Sequence, residues 1–212
     1  MKDQWDNFWK RMSCSKLNGI SWSKRRIMVV LDRYVTEPHL RVLDAGCGSG
    51  FFAKYFVEKG CNVWACDYSV EAIRVTQKMT ENRCKEYLKI DLLDTQFLEN
   101  YRDFFDIVFT DGLFEHFSPV QQKQLIANFV FIKKREGKII TFVPNKYSWW
   151  TFVRPLVMYE IGERPFTMGG LKILHSNLEI IEYGGINVIP VKYSPDIFFG
   201  GKFGMLIYVV AK

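Results

Sequence analysis

The sequence predicts an α/β protein: a doubly wound, mainly parallel sheet of seven strands that ends in an antiparallel pair. Three observations predict it. Between residues 41 and 143, short apolar runs alternate with stretches of helical period, the pattern of repeated βα units. The runs carry few polar interruptions, as strands covered on both faces do. The last two runs, 178–190 and 201–212, are joined by "VKYSPDIFFG". That link contains proline and is too short for a packed crossover helix, so the two strands pair antiparallel.

The elements follow in order. Trp5, Phe8, Trp9 and Met12 fall at i, i+3, i+4 and i+7, one face of a helix. "SCSKLNGIS" is a turn-rich break, and Ile27, Val30, Leu31 and Tyr34 mark a second helix that Pro38 closes. These make a helical segment over residues 1–36, ahead of a domain over 37–212. Strands are expected at 41–46, 62–67, 87–92, 104–111 and 137–143, with helices at 50–59, 70–83 and from Ser118 to about Arg135. Ser118 caps the last of these and Pro119 suits its first turn. After Pro144 the chain runs irregularly to residue 167 before a short helix at 168–176. Connections of that length serve as lids or binding loops, so an inserted cover is expected at about 145–176.

Composition narrows the function. The 212 residues are 48% hydrophobic and 25% charged, ordinary for a single domain with a full core. The net charge of +6 is modest. Its dense basic spots, "SWSKRR" and "IKKREGK", read as solvated helix ends, which disfavours nucleic acid as a partner. The five cysteines are odd in number, contain no CxxC, and have no histidine cluster beside them, which speaks against zinc and for a reducing, cytoplasmic compartment. No apolar leader opens the chain and no run of 18 apolar residues occurs. Aromatics reach 16%, in part near both ends and around 147–166, which suits a lined pocket, an apolar partner or core filling.

The chemistry begins at "VLDAGCGSGFFAKYF", a strand, then Gly46, Gly48 and Gly50, then a helix. Glycines there let the backbone turn tightly and approach a ligand. Asp67 lies 23 residues after Asp44, at the end of the next strand, where a carboxylate meets the ribose hydroxyls of an adenosine group. To this point dinucleotides and other adenosine ligands both fit. Asp44 then matters, because a carboxylate two residues before Gly46 repels a pyrophosphate and attracts a cationic amine. Asp91, at the end of the third strand, can accept from an adenine amino group. With the terminal strand pair, these residues favour S-adenosylmethionine.

On "LDAGCGSG", "ACDYS", "KIDL" and "DIVFTDGLFEHF", in that order, the chain resembles the class I S-adenosylmethionine-dependent methyltransferases over about residues 25–212. The resemblance implies a Rossmann-like methyltransferase fold. It also implies a set of cofactor contacts. Asp44 would act on the amino-acid portion, and Gly46, Cys47, Gly48 and Gly50 would form the cradle. Asp67 would hold the ribose and Tyr68 would lie on the adenine face. Asp91 and Leu92 would meet the adenine edge, with Thr110 and Asp111 near the methionine end.

"TDGLFEHF" is similar to the small-molecule and quinone methyltransferase branch, where a Glu-His pair follows the fourth strand. His116 suits the base that deprotonates a hydroxyl acceptor; it also suits a structural loop contact. Glu115 would orient it, or bind a metal or an amine. No metal site is assigned, because no second carboxylate pair joins Asp111 and Glu115. The proline pair of DNA amino-methyltransferases is absent from "TDGLF". In the cover, Trp149, Trp150, Phe152, Tyr159 and Phe166 would wall an apolar cavity, with Arg154 and Arg164 for an acidic substituent. The N-terminal aromatic face would fold over the same mouth or pack on the sheet edge. "WWTFVRPLVMY" also has the composition for weak contact with a membrane surface. The expected activity is methyl transfer to an oxygen or nitrogen of a small, partly apolar organic acceptor. RNA or protein methylation, and cofactor binding without catalysis, are the alternatives.

Overall fold

A computed structural model describes residues 2–11, 20–96, 98–157 and 162–212. Parallel pairing starts at β1 (Arg41–Ala45), which lies between β2 (Asn62–Asp67) and β4 (Phe105–Asp111). β3 (Glu86–Lys89) extends the row beyond β2. β6 (Ile180–Ile186) and β7 (Leu206–Ala211) pair antiparallel, and β7 runs antiparallel to β5 (Lys133–Pro144). The order is β3-β2-β1-β4-β5-β7-β6, so the seven-stranded, mainly parallel sheet with its antiparallel end is as the sequence predicts.

Among the described residues the helices are α1 (Lys2–Arg11), α2 (Trp22–Leu31), α3 (Phe51–Glu58), α4 (Val70–Met79), α5 (Pro119–Ile132), α6 (Trp150–Val157), α7 (Met168–Leu174) and α8 (Asp196–Phe203). Their starts are encoded locally. Ser21, Ser69 and Thr167 each accept a backbone N–H of the first turn of α2, α4 and α7, a cap that contributes roughly 1 kcal/mol. Ser118 and Gln121 exchange hydrogen bonds before α5, Gln121 Oε1 taking the Ser118 N–H at 3.0 Å.

The chain divides into two compact units whose segments interleave: Met1–Gly19, Val35–Thr110 and Ala127–Lys138 in one, Ile20–Tyr34, Asp111–Ile126 and Ile139–Lys212 in the other. In the first, Phe52 and Phe56 on α3 pack against Phe109 of β4 with ring centroids 4.9 and 5.5 Å apart. Burying each such ring stabilises by about 2–3 kcal/mol. In the second, Glu182 of β6 accepts from Arg33, Tyr34 and the Tyr208 hydroxyl. His175, which follows α7, is fully buried: its Nδ1 bonds the Leu171 carbonyl at 2.9 Å and its Nε2 the Thr141 hydroxyl at 3.1 Å. Burial lowers its pKa, so it is a neutral core histidine.

Four details differ from the sequence reading. The stretch expected to run irregularly to residue 167 contains α6. β3 stops at Lys89, which leaves Asp91 in the turn beyond it, where its carboxylate caps the Leu93 N–H at 3.1 Å. α5 ends at Ile132, and β5 starts directly after it. The link before β7 contains α8, although it is too short for a crossover. The helix crosses nothing, since the strands on either side of it remain antiparallel.

Candidate active site

The glycine turn belongs to the first unit. β1 delivers it and α3 receives it. Gly46, Gly48 and Gly50 have φ of 77°, 48° and 73°, values that a Cβ strains. The N–H groups of Gly46 and Cys47 both donate to the Cys66 carbonyl at 2.9 Å, pinning the turn to the end of β2. Asp67 completes the clamp: Oδ2 accepts the Gly48 N–H at 3.1 Å and Oδ1 the Ser69 N–H at 2.9 Å. One carboxylate thereby joins the turn to the start of α4. Burial raises the Asp67 pKa, opposed by the bonds from Ser69, Gly48 and Tyr68.

Helix α1 lies on this turn. A Cβ on Gly48 would meet Trp9 Cζ2 at 2.7 Å, Trp5 stacks on Trp9 with centroids 6.2 Å apart, and Asp6 accepts the Ser69 hydroxyl. The N-terminal aromatic face thus rests on the glycine turn; Met12 lies outside the described residues.

The other predicted cofactor residues of this unit sit at strand ends or just beyond them. Asp44 is buried at 3% exposure beside Ala65 and Phe109. Thr110 is fully buried, and its hydroxyl has no hydrogen-bond partner among the described residues. A buried hydroxyl without a partner is costly unless a ligand completes it. Tyr68 is half-buried, Leu92 buried and Asp91 exposed. Cys47 is buried and its thiol pKa is pushed well up, chiefly by burial, so it stays neutral. Sequence reasoning missed two supports. Thr76 Oγ1 donates to the Gly48 carbonyl at 3.2 Å, and Asn128 Nδ2 to the Leu92 carbonyl at 2.8 Å. A polar residue on an otherwise apolar helix face was the signal available for each.

The second unit carries the Glu-His turn. Asp111 keeps some accessible surface, yet its carboxyl is desolvated enough for its pKa to rise to about 7, against the attraction of Lys24. Burial in turn lowers the Lys24 pKa, which Asp111 opposes. After Gly112, whose N–H bonds the Phe142 carbonyl at 3.1 Å, residues Phe114–His116 form a 3-10 turn. Gln122 of α5, also missed by sequence, fixes it by donating to the Phe114 and Phe117 carbonyls at 2.9 and 3.1 Å.

Residues 162–164 are tied to that turn. Arg164 N–H donates to the Glu115 carbonyl at 2.9 Å, and His116 Nδ1 lies 3.1 Å from the Gly162 carbonyl. A carbonyl only accepts, so Nδ1 carries the proton and Nε2 is the basic nitrogen. Glu115 is buried, and one ligand atom from each of Glu115, His116 and Glu163 lies within 4.8 Å of the other two. Nothing local in the sequence marks Glu163 as a neighbour of His116.

The remaining predicted residues separate. Trp149 and Trp150 meet edge to face at 5.8 Å, with the Trp149 indole N–H buried and without a partner among the described residues. Phe166 is buried and bridges to Asn145, a framework position. Arg164 is exposed, and so is Phe152. Tyr159 and the side chain of Arg154 lie outside the described residues.

Comparison with known proteins agrees with this geometry. A methyltransferase domain model matches residues 42–137. The cyclopropane-fatty-acyl-phospholipid synthase of Escherichia coli is 34% identical over 107 residues, which cover 47% of this chain and 25% of that protein. This chain therefore spans about a quarter of that relative's length. The ubiquinone biosynthesis O-methyltransferase of Rickettsia typhi is 29% identical over 192 residues, covering 79% of this chain and 75% of the relative. The crystal structure of an S-adenosylmethionine-dependent methyltransferase from Anabaena variabilis matches the fold with a TM-score of 0.72 at 19% identity, over 100% of this chain and 94% of that one. A left-handed glycine turn clamped by a buried strand-end acid, a second buried acid in β1 and an uncompleted hydroxyl at the end of β4 suit a cationic adenosine ligand. With the match of residues 42–137 to a methyltransferase domain, they support a class I S-adenosylmethionine-dependent methyltransferase.

Proposed function

We infer that the protein methylates an oxygen or nitrogen of a small, partly apolar organic acceptor, with His116 as the base, in the manner of the small-molecule branch. The observation that carries this reading is the tautomer set by the Gly162 carbonyl, which makes Nε2 the proton-accepting atom. Glu115 and Glu163, within 4.8 Å, stabilise the imidazolium that forms. When bound, S-adenosylmethionine supplies an electrophilic methyl group on a sulfonium. Gly46, Cys47, Gly48 and Gly50 would hold its tail, with Asp44 answering its positive charge. Asp67 would accept from the ribose, Thr110 would complete its hydroxyl on the methionine end, and Tyr68, Asp91 and Leu92 would border the adenine. The Trp149 N–H would donate to the acceptor, and Trp150 and Arg164 would line its approach.

Two relatives' names support an apolar acceptor: one acts in ubiquinone biosynthesis as an O-methyltransferase, the other in making cyclopropane-fatty-acyl phospholipid. The test is transfer of labelled methyl to a cell extract. Label in organic-soluble small molecules is expected. Label confined to RNA or protein would overturn the reading.

The Glu115–His116–Glu163 group favours a second reading, because two carboxylates and an imidazole within 4.8 Å also suit a divalent cation. Transfer that survives a chelator retains His116 as base. Transfer abolished by chelator and restored by added magnesium or zinc assigns the group to the metal instead.

A further inference from the structure

We propose that α8 and the loop before it form a docking surface for an anionic membrane, independent of the identity of the base or the acceptor. A soluble helix normally buries its apolar residues. α8 does the opposite: Ile197 is 95% exposed and Phe198 82%, and Tyr193 ahead of them is 80% exposed. The cause lies on the inner face. α8 approaches β6 through glycine, and a Cβ on Gly200 would fall 1.9 Å from the Gly185 carbonyl oxygen. Backbone rests on backbone there, so the large side chains have only the outer face.

The charge around them has one sign. Lys192 and Lys202 are exposed, their Nζ atoms 5.3 and 5.2 Å from the Tyr193 and Phe203 ring centroids. The one acid of α8, Asp196, is bound to Arg26 Nε at 2.8 Å and accepts the Val188 N–H. The surface thus offers protruding apolar side chains inside a positive rim. Asn145 adds to it, donating to the Lys202 and Gly204 carbonyls at 2.9 Å while its Oδ1 takes the Tyr147 N–H at 3.1 Å. That ties α8 to a stretch where Tyr147 and Phe152 are exposed and Lys146 continues the positive charge.

A bilayer is the occupant this chemistry fits. Side chains that stand out singly enter an acyl boundary without a complementary shape, and lysines beside aromatic rings gain from anionic headgroups. Among the described residues no helix is long and apolar enough to cross a membrane, so the contact is peripheral.

The test is co-sedimentation of the full chain with phosphatidylcholine vesicles, with and without about one-third phosphatidylglycerol. Binding is expected to the anionic vesicles and to fall with salt. The Ile197→Asp/Phe198→Asp double variant should lose about tenfold or more of it. Lys192→Glu/Lys202→Glu should lose binding to anionic vesicles specifically. Circular dichroism should leave both variants folded; Phe198→Ser, a milder change, stands in for the double variant if it does not. Undiminished sedimentation of the folded apolar variant overturns the proposal. So does light scattering that shows a vesicle-free dimer abolished by Phe198→Ser, which would make a second copy the occupant.

Discussion

The glycine turn and the Glu-His turn both follow a strand of the same sheet, but different forces hold them. The first is held by backbone. Its three left-handed glycines, two N–H groups on the Cys66 carbonyl and one carboxylate on two N–H groups leave little for distant residues to decide. The second is held by Gly162 and Arg164, far away in sequence, and by the side chain of Gln122 on the helix that follows it. A backbone-held site should lose ligand affinity when it is damaged. A site assembled by side chains should lose rate while affinity stands.

The largest expected effect tests that split. His116→Ala should lower kcat by about 10²–10⁴, the usual weight of a positioned base, while cofactor affinity from calorimetry stays within about twofold. A base acts only when unprotonated, so on the proposed role of His116 the wild-type rate should fall toward acid pH and the residual rate of the variant should not. A kcat unchanged between the two proteins would return His116 to a loop contact.

Asp67→Ala should show the reverse. It removes a buried acceptor of two N–H bonds as well as the expected ribose partner. Losing charge-assisted bonds of this kind costs on the order of 2–3 kcal/mol, or roughly 30- to 100-fold in cofactor Kd. Calorimetry giving wild-type affinity would show that the clamp does no binding.

The same contrast explains what could be read in the sequence. The succession of strands, the glycine turn and the Ser118 cap are local patterns that the structure has where the sequence puts them, with Asp44 in β1 and Asp67 at the end of β2. Thr76, Asn128, Gln122 and Glu163 are not local patterns. Thr76, Asn128 and Glu163 act on residues remote in sequence, up to the 48 positions that separate Glu115 from Glu163, and Gln122 reaches back across a turn; composition does not say which carbonyl a side chain will find. α8 escaped notice for another reason. The link was measured against the length of a crossover, but a helix that returns beside its own strand needs no such length. Its apolar residues also face outward, against the rule by which helices are recognised.

Asp111 stands between the two turns in sequence and should report through pH. Its folded pKa of about 7 lies above the ordinary 3.8. The native state then holds more protons than the unfolded state across that interval, so stability is greatest near pH 4 and falls as pH rises to about 7. Part of the residue remains in water, so the loss is on the order of 1–2 kcal/mol. Asp111→Asn should flatten this slope in denaturant titrations at pH 5 and pH 8. An equal slope in both proteins would place the charge elsewhere, and a cationic ligand should diminish the slope in the wild type, because it favours the ionised carboxylate.

The smallest effect isolates position from chemistry. Gln122 touches no expected ligand; it donates to the Phe114 and Phe117 carbonyls and so sets where His116 stands. Gln122→Ala should cost about 1 kcal/mol of stability, the net worth of such bonds, because Phe114 O still accepts the Phe117 N–H at 3.1 Å. A base displaced by a fraction of an ångström still accepts a proton, but less often in line. The expected result is therefore a kcat lowered about five- to tenfold, with the cofactor Kd and the acid limb of the pH profile unchanged. A variant that kept wild-type kcat would show that residues 162–164 hold His116 without help from α5. One that lost cofactor affinity as well would mean that the two turns are not held separately at all.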